Sequence, residues 1–277
     1  MESTDIMQVD VEAVIASKNP KLLKKIPRFI IRYLKRIVHQ NDINEFLMQH
    51  ADKKGLDFVD AILTDFNIKI ETFGEENIPQ TGRFIFAANH PMGGLESNAF
   101  IKTVSKHYSE IKFPVNDIIM QLKPMHNVLI PVNKHGAQHR DAVKQLEAEF
   151  AGDKQILFFP AGLVSRKIKG KITDLEWKKS FINKAKQHKR DIILVYIEGH
   201  NSAFFYNLAN WRKRLGIKAN IEMLYLVNEA YKQYNKTIKL VFSKPISWQE
   251  LNTEHSGIEW AETLKKECYN LATKIDS

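Results

Sequence analysis

The sequence predicts an α/β fold with a mixed, largely parallel central sheet flanked by helices and an N-terminal helical segment. Three observations carry this expectation. From Arg83 onward, short apolar runs alternate with segments of helical periodicity, the pattern of a parallel or mixed sheet covered by helices. Four of those apolar runs end in Gly or Pro mixed with polar groups, which suggests one shared cleft at a single sheet edge. Before about residue 70 the periodicity is helical only.

The N-terminal segment carries most of the charge. Lys18, Lys21, Lys24, Lys25, Arg28, Arg32, Lys35 and Arg36 follow one another with no acid among them, and the whole chain has a net charge of +9. The remainder is therefore nearly neutral. Leu22, Ile26, Phe29, Ile30, Tyr33, Leu34 and Ile37 recur at helical spacing on one side of this segment. Asn19-Pro20 reads as a helix start, and Pro27 is expected to kink or interrupt the helix. A basic face beside an aromatic and aliphatic face suits an anionic membrane surface. The same face on a surface helix packed against its own protein would look alike, and it would equally suit an acidic carrier protein. Nucleic acid is not expected as a partner, because no second basic face with interleaved stacking aromatics accompanies it. Phe204 to Arg214 forms a further basic and aromatic stretch that fits an interface or a half-buried helix.

The elements follow in order. Asn41–His50 and Gly55–Phe66 are helix candidates. Arg83–Ala88 is a strand and Ser97–His107 a helix. Val128–Val132 is a strand, followed by a strongly patterned helix over Arg140–Phe150. Gln155–Phe159 is a strand, Asp174–His188 a helix, and Asp191–Ile197 and Thr237–Phe242 are strands. Ser256–Ile275 closes the chain as a helix whose apolar side is Ile258, Ala261, Leu264, Cys268, Leu271 and Ile275. Three parts result: a basic helical segment over 1–70, an α/β domain over 71–250 and a C-terminal helix over 251–277.

Composition narrows the class. With 44% hydrophobic and 26% charged residues the chain is globular in type. Cys268 is the single cysteine, so no intrachain disulfide can form, and its apolar surroundings make it a core residue rather than a nucleophile. The polar, acidic opening from Met1 to Asp10 lacks a secretory pattern, and no apolar run approaches bilayer length. A cytoplasmic location is expected, peripheral on the inner membrane face.

The four strand-end motifs are where chemistry is sought. The first is Asn89-His90-Pro91-Met92-Gly93-Gly94-Leu95-Glu96. The second runs from Ile130-Pro131-Val132 through Asn133-Lys134-His135-Gly136. The third is Phe158-Phe159-Pro160-Ala161-Gly162-Leu163-Val164-Ser165-Arg166. The fourth is Val195-Tyr196-Ile197-Glu198-Gly199-His200-Asn201-Ser202. Histidine suits proton abstraction near neutral pH, and a nearby carboxylate can fix its tautomer. By itself, Asn-His-Pro is more often a turn, and Phe-Pro-Ala-Gly a strand end. Glu198–Asn201 reads equally well as packing at a cleft wall.

The first and third motifs together resemble the glycerolipid acyltransferase superfamily, whose best-known members are the 1-acylglycerol-3-phosphate acyltransferases. That family carries Asn-His-x4-Asp, then Phe-Pro-Glu-Gly-Thr-Arg-Ser, then a strand ending Val-Pro-Val. The resemblance spans roughly residues 70–245. Here Glu96 replaces the aspartate with five intervening residues rather than four. Ala161 replaces the glutamate, Leu194-Val195 stands for Val-Pro, and Arg166 is displaced. The details look closer to a bacterial branch often labelled hemolysin-like, which includes O-acyltransferases of ornithine and glycine aminolipid synthesis. The resemblance implies an α/β acyltransferase domain, a lyso-lipid acceptor and a thioester of acyl-carrier protein or CoA as co-substrate, with no other cofactor and no metal.

In such a reaction His90 would take the proton of the acceptor hydroxyl as it attacks, and Glu96 would orient and stabilise the imidazole. No covalent enzyme intermediate is required. Backbone N–H groups at Gly93-Gly94 or Ala161-Gly162 would stabilise the oxyanion. Arg166 would hold an acceptor phosphate or carboxylate with its planar fork. Asn89, Pro160, Ser165 and Lys134 complete the expected substrate-binding set. The acceptor is lysophosphatidic acid or a lyso-aminolipid, and Ala161 favours the second. Two rival functions remain open. His126, His135 and His139 could belong to a metal-dependent hydrolase, although Gly136 interrupts them and no carboxylate-rich motif accompanies them. Glu96 and Ala161 could also mark a non-catalytic lipid-binding protein.

Overall fold

The computed structural model describes residues 8–116, 119–132, 139–251 and 254–275. They fall into two compact units, one within Met1–Lys53 plus Asn201–Tyr234, the other within Lys54–His200 plus Asn235–Ser277. This division cuts the chain differently from boundaries at 70 and 250. The helix over Leu56–Asp65 packs on the helix over Leu95–Ser105 and so belongs with the sheet. Residues 201–234 group instead with the N-terminal helices.

The first unit is helical. It contains α1 (Val11–Lys18), α2 (Pro20–Lys25), α3 (Arg28–Ile37) and α4 (Gln40–Gln49). Pro27 ends α2 and stands immediately before α3, the expected interruption, because its ring fixes φ and it has no N–H for a helical bond. The expected apolar side of the segment is only partly buried. On α3 Ile31 and Ile37 are buried, but Phe29, Ile30 and Tyr33 are exposed.

The second unit opens with α5 (Leu56–Asp65), β1 (Lys69–Phe73), β2 (Phe84–Ala88), α6 (Leu95–Ser105), β3 (Ile111–Val115) and β4 (Leu129–Pro131). It continues with α7 (His139–Ala151), β5 (Gln155–Phe158), the hairpin β6 (Arg166–Ile168) and β7 (Lys171–Thr173), α8 (Ser180–His188) and β8 (Asp191–Ile197). After β8 the chain passes into the first unit as α9 (Ala203–Arg214) and α10 (Leu226–Tyr231). It returns for β9 (Thr237–Phe242) and α11 (Gly257–Asn270). Seven strands form one sheet in the order β1-β9-β8-β2-β5-β3-β4. Strands β8, β2, β5, β3 and β4 run parallel, and β9 is antiparallel to β8 with β1 parallel to β9. The α/β expectation is met.

Every residue of β2 is buried, as a central parallel strand covered on both faces requires. Under it, Ile85, Ala87, Ile156, Ile192 and Leu194 pack with Trp177, Phe181 and Ile182 and with Ala261, Leu264 and Cys268 of α11. Cys268 is fully buried, its thiol donating to the Val195 carbonyl. Arg190 lies under the opposite end of the sheet. Its guanidinium donates to the Phe150, Glu149, Gly152, Lys154 and Phe84 carbonyls, which satisfies the open end of α7. Burial lowers its pKa to about 10, so it is still charged at neutral pH.

Four elements differ from the sequence expectation. The helix expected over Asp174–His188 begins only at Ser180, because Asp174 and Trp177 are held in the core instead. The C-terminal helix tightens to 3-10 form over Leu271–Lys274, and Ile258 of its expected apolar side is exposed. Strands β1 and β3 have no sequence-predicted counterpart. Lys69 and Glu71 break the apolar run of the first, and Lys112 and Pro114 that of the second.

Candidate active site

Strands β8, β2 and β5 lie side by side and parallel, so the fourth, first and third motifs leave the sheet at one edge. The first motif turns sharply into α6. Gly93 has φ 99°, a left-handed value natural only to glycine, and the helix starts at Leu95, two residues before the sequence-predicted start. Glu96 thereby falls in the first helical turn, the favoured place for an acid. Its carboxylate curls back over the loop it has just left. Glu96 Oε1 accepts from Met92 N–H at 2.9 Å and from Gly93 N–H, and Oε2 accepts from Gly94 N–H at 2.7 Å.

The same Oε1 lies 3.0 Å from His90 Nδ1, closing a histidine–carboxylate dyad in which the Glu96 side chain is fully buried. Burial pushes the Glu96 carboxyl up, but the His90 ring and the Gly93 and Gly94 N–H groups outweigh it and hold the carboxyl below its usual range. Glu96 is therefore an acceptor, which puts the proton of the neutral imidazole on Nδ1 and a lone pair on Nε2. The extra residue relative to the resembled family is absorbed by the Gly93-Gly94 turn and the longer glutamate side chain.

Two further contacts fix His90. Its ring stacks on Phe159 with centroids 4.1 Å apart and planes 16° from parallel. Its backbone is held on both sides: Ser165 N–H of the third motif donates to the His90 carbonyl at 2.7 Å, and His90 N–H donates to the carboxylate of Asp174, beyond that motif, at 3.2 and 3.3 Å. The fourth motif approaches from the other side. Gly199, at φ 150°, has a backbone that L side chains rarely adopt, and its Cα faces the flexible end of the Met92 side chain, so the two loops touch there.

Several sequence-predicted contacts prove to be internal. The Gly93 and Gly94 N–H groups, expected as oxyanion donors, are engaged by Glu96. Gly162 N–H donates to the Phe159 carbonyl at 3.0 Å. Among the described residues, Ala161 N–H is the one donor of the two expected pairs without such a bond. Asn89 does not face a ligand. Its amide pairs with both backbone groups of Ile197, giving at 2.9 Å and accepting at 2.6 Å, and so locks the end of β2 to β8. Pro160 is buried and its carbonyl accepts from Lys178 N–H at 3.1 Å. Ser165 is buried and its hydroxyl donates to Asp174 at 2.6 Å. Arg166 is also buried, with its guanidinium on the Val164 and Ser165 carbonyls at 2.7 and 3.3 Å. These four residues shape the loop beside His90. Lys134 and His135 lie outside the described residues, as does the side chain of His139. His126 Nε2 is on the Met120 carbonyl at 2.7 Å.

Two residues of the site escaped the sequence reading. Phe159 was visible only as part of a Phe-Pro element. Asp174 reads from the sequence only as the first residue of a helix over Asp174–His188, and nothing in its neighbours marks it as buried.

Among the described residues around His90, the Ser165 hydroxyl and the Cys268 thiol are both engaged internally. Ser165 gives its proton to Asp174, and burial pushes the Cys268 thiol well up and away from reactivity. The fold and the dyad together place a histidine–glutamate pair, its carboxylate buried, at the end of parallel strands, an arrangement chemically able to accept a proton. Comparison with known proteins supplies the class. The family model described as Acyltransferase matches residues 13–277, and the chain belongs to that family. It is an acyltransferase of the glycerolipid acyltransferase superfamily, in agreement with the motifs. The chain is 44% identical over 272 residues to the lyso-glycine lipid O-acyltransferase of Bacteroides thetaiotaomicron, covering 98% of this chain and 100% of that protein. The lyso-glycine lipid O-acyltransferase of Phocaeicola vulgatus is likewise 44% identical over 272 residues, with 98% of each chain covered. Among solved structures, the 1-acyl-sn-glycerophosphate acyltransferase PlsC from Thermotoga maritima matches with TM-score 0.50 and 16% identity. It covers 94% of this chain and 91% of its own, and shows a shared fold.

Proposed function

We propose that this enzyme moves a fatty acyl group from acyl-carrier protein or CoA to the hydroxyl of a lyso-glycine lipid, completing a diacyl aminolipid. The observation that carries the acceptor is full-length similarity to two proteins of that name. Ala161 agrees: where the resembled phosphate-specific enzymes have a glutamate, this chain has a buried methyl group that offers an acceptor headgroup no polar contact.

The chemistry follows from the dyad. His90 Nε2 takes the hydroxyl proton as that oxygen attacks the thioester carbonyl, and Glu96 stabilises the imidazolium that forms. The tetrahedral oxyanion is within the chemistry of the Ala161 N–H. Collapse forms the ester, breaks the C–S bond and returns the proton from His90 to the thiolate. No metal or further cofactor is needed for these steps.

The membrane surface is part of the same proposal, since acceptor and product are lipids. Among the described residues, eleven of the fifteen exposed large apolar side chains lie in the unit of the N-terminal helices and residues 201–234. Phe29, Tyr33, Phe204 and Trp211 are among them, alongside exposed Lys21, Lys24, Lys25 and Arg28. Apolar side chains with basic residues between them suit peripheral attachment to an anionic bilayer. Among the described residues no helix is long and apolar enough to cross a membrane.

The test is a purified assay offering lyso-glycine lipid and lysophosphatidic acid in turn, each with acyl-carrier-protein and CoA thioesters, read by mass spectrometry. Diacyl glycine lipid is the expected product. Acylation of lysophosphatidic acid alone would overturn the acceptor assignment.

A further inference from the structure

We infer that Asp174 is a positioning residue for the His90 base, holding the histidine backbone so that Nε2 faces the acceptor hydroxyl. The inference rests on the reading of His90 as that base.

Asp174 is fully buried on the chain between β7 and α8, eighty-four positions from His90. Three donors converge on its two oxygens. Oδ1 accepts from Ser165 Oγ at 2.6 Å, Oδ2 accepts from Trp177 Nε1 at 2.9 Å, and His90 N–H straddles both. Its own backbone is fixed from α11: Asp174 N–H donates to the Tyr269 hydroxyl at 2.8 Å and Lys265 Nζ to the Asp174 carbonyl at 2.8 Å. No cation contacts the carboxylate oxygens among the described ion pairs, so three hydrogen bonds carry a buried charge.

A buried carboxylate is a costly way to hold a turn, and a backbone carbonyl would accept His90 N–H as well. A carboxylate offers something a carbonyl does not: two oxygens fixed in one plane, able to bind the His90 peptide, the Ser165 hydroxyl and the Trp177 ring together. Ser165 N–H in turn holds the His90 carbonyl, in the next peptide group. The His90 backbone is thus clamped on both sides, while Glu96 and Phe159 fix its ring. Only with all four contacts is every degree of freedom of the imidazole set. A shift of about 1 Å in such a group costs about 10²-fold in rate.

Asp174→Asn tests this. It keeps the shape but turns one acceptor oxygen into a donor that faces a donor. The expected result is a kcat about 10²-fold lower with KM within about twofold of the original, because substrate contacts are untouched and the base is displaced. Trp177→Phe removes one of the three donors to Asp174 while leaving the carboxylate on His90 N–H, and should lower Tm and lower kcat less than Asp174→Asn does. If Asp174→Asn does not fold, Ser165→Ala decides. It keeps the carboxylate, removes the hydroxyl link, and should lower kcat about tenfold with a smaller loss of Tm than Trp177→Phe. Asp174→Asn that folds with an unchanged kcat would overturn the inference. His90→Ala, assayed beside them, separates the two levels. If it stays active, the reading of His90 as the base fails. If it is inactive while Asp174→Asn and Ser165→Ala both match the original, only the role of Asp174 fails.

Discussion

Both units bury polar groups, but in the unit built on the sheet a cluster of them gathers around His90. In the unit of the N-terminal helices and residues 201–234, apolar groups are found outside. The first arrangement is expensive unless each polar group has a partner, and around His90 the partners are present: Glu96, Asp174, Ser165 and the Gly93 and Gly94 N–H groups bond to one another or to the histidine. The second leaves Phe29, Trp211 and Leu215 at 65%, 67% and 71% exposure, an arrangement that suits an apolar or interfacial partner. On the proposed function, one unit carries the proton-accepting dyad and the other the surface toward lipid. Substitutions in the two should therefore fail in different assays, and that contrast can be broken.

The largest effect is expected at His90. His90→Ala removes the base and should lower kcat/KM for acyl transfer about 10³-fold or more, with vesicle binding unchanged. Loss of vesicle binding along with activity would blur the division between the units.

Glu96→Gln comes next. The carboxamide has one acceptor oxygen where the carboxylate has two, and with its NH2 in the Oε1 position it faces the Met92 and Gly93 N–H groups as well as His90 Nδ1, favouring the tautomer with the proton on Nε2, which cannot act as the base. A fall in kcat of about 10²-fold is expected. Glu96 also ties stability to pH. Its native pKa lies below the ordinary 4.5, so its contribution is intact above that value and is lost as pH falls through the lower native one. Between pH 7 and pH 4 the Tm of Glu96→Gln should therefore fall less than that of the unaltered protein. Equal acid sensitivity would show that other carboxylates dominate.

These two residues show how much of the site was legible. The His90 loop and the Phe-Pro element could be read because their chemistry sits in contiguous residues at the ends of apolar runs. The strands β2, β5, β8 and β9 could be read for the same reason. Long-range pairing could not. Asn89 looked like a ligand contact because nothing local reveals that Ile197 stands opposite it. Asp174 reads as the start of a helix because its partners, Ser165, Trp177 and His90, are assembled by the hairpin β6–β7 and by α11. The oxyanion donors were misjudged in the same way: the sequence shows two glycines, not that the glutamate after them has already engaged their N–H groups. Strands β1 and β3 were hidden by Lys69, Glu71, Lys112 and Pro114, charges and a proline that strands beside the sheet's edge or at it can tolerate.

The surface unit yields smaller, salt-sensitive effects. Lys21, Lys24 and Lys25 are exposed on α2, and each contributes about 1 kcal/mol near an anionic bilayer. Changing all three to Gln should weaken binding to phosphatidylglycerol vesicles by about 10²-fold at low salt, and by much less at 0.5 M salt. Activity on a short, soluble acceptor analogue should stay the same. Binding that does not change would move the basic segment from membrane attachment to docking of an acidic carrier protein, detectable as a raised KM for the acyl-carrier-protein thioester alone.

The smallest effect separates charge from apolar contact within that unit. Tyr33 and Tyr225 share a hydroxyl hydrogen bond at 2.8 Å, and Phe204 stacks edge-on against Tyr225 at 4.9 Å, so these aromatics brace one another and are poor probes. Phe29 and Trp211 are better placed, being exposed and outside that cluster. Full burial of a large apolar side chain contributes about 1.5–3 kcal/mol, and partial insertion about half of that. Phe29→Ala and Trp211→Ala should each weaken vesicle binding by roughly fivefold. Unlike the lysine changes, this loss should persist at high salt, because dispersion and dehydration are not screened by ions. A loss that vanished with salt would mean that the aromatics only position the charges, and that the contrast between the units is electrostatic alone.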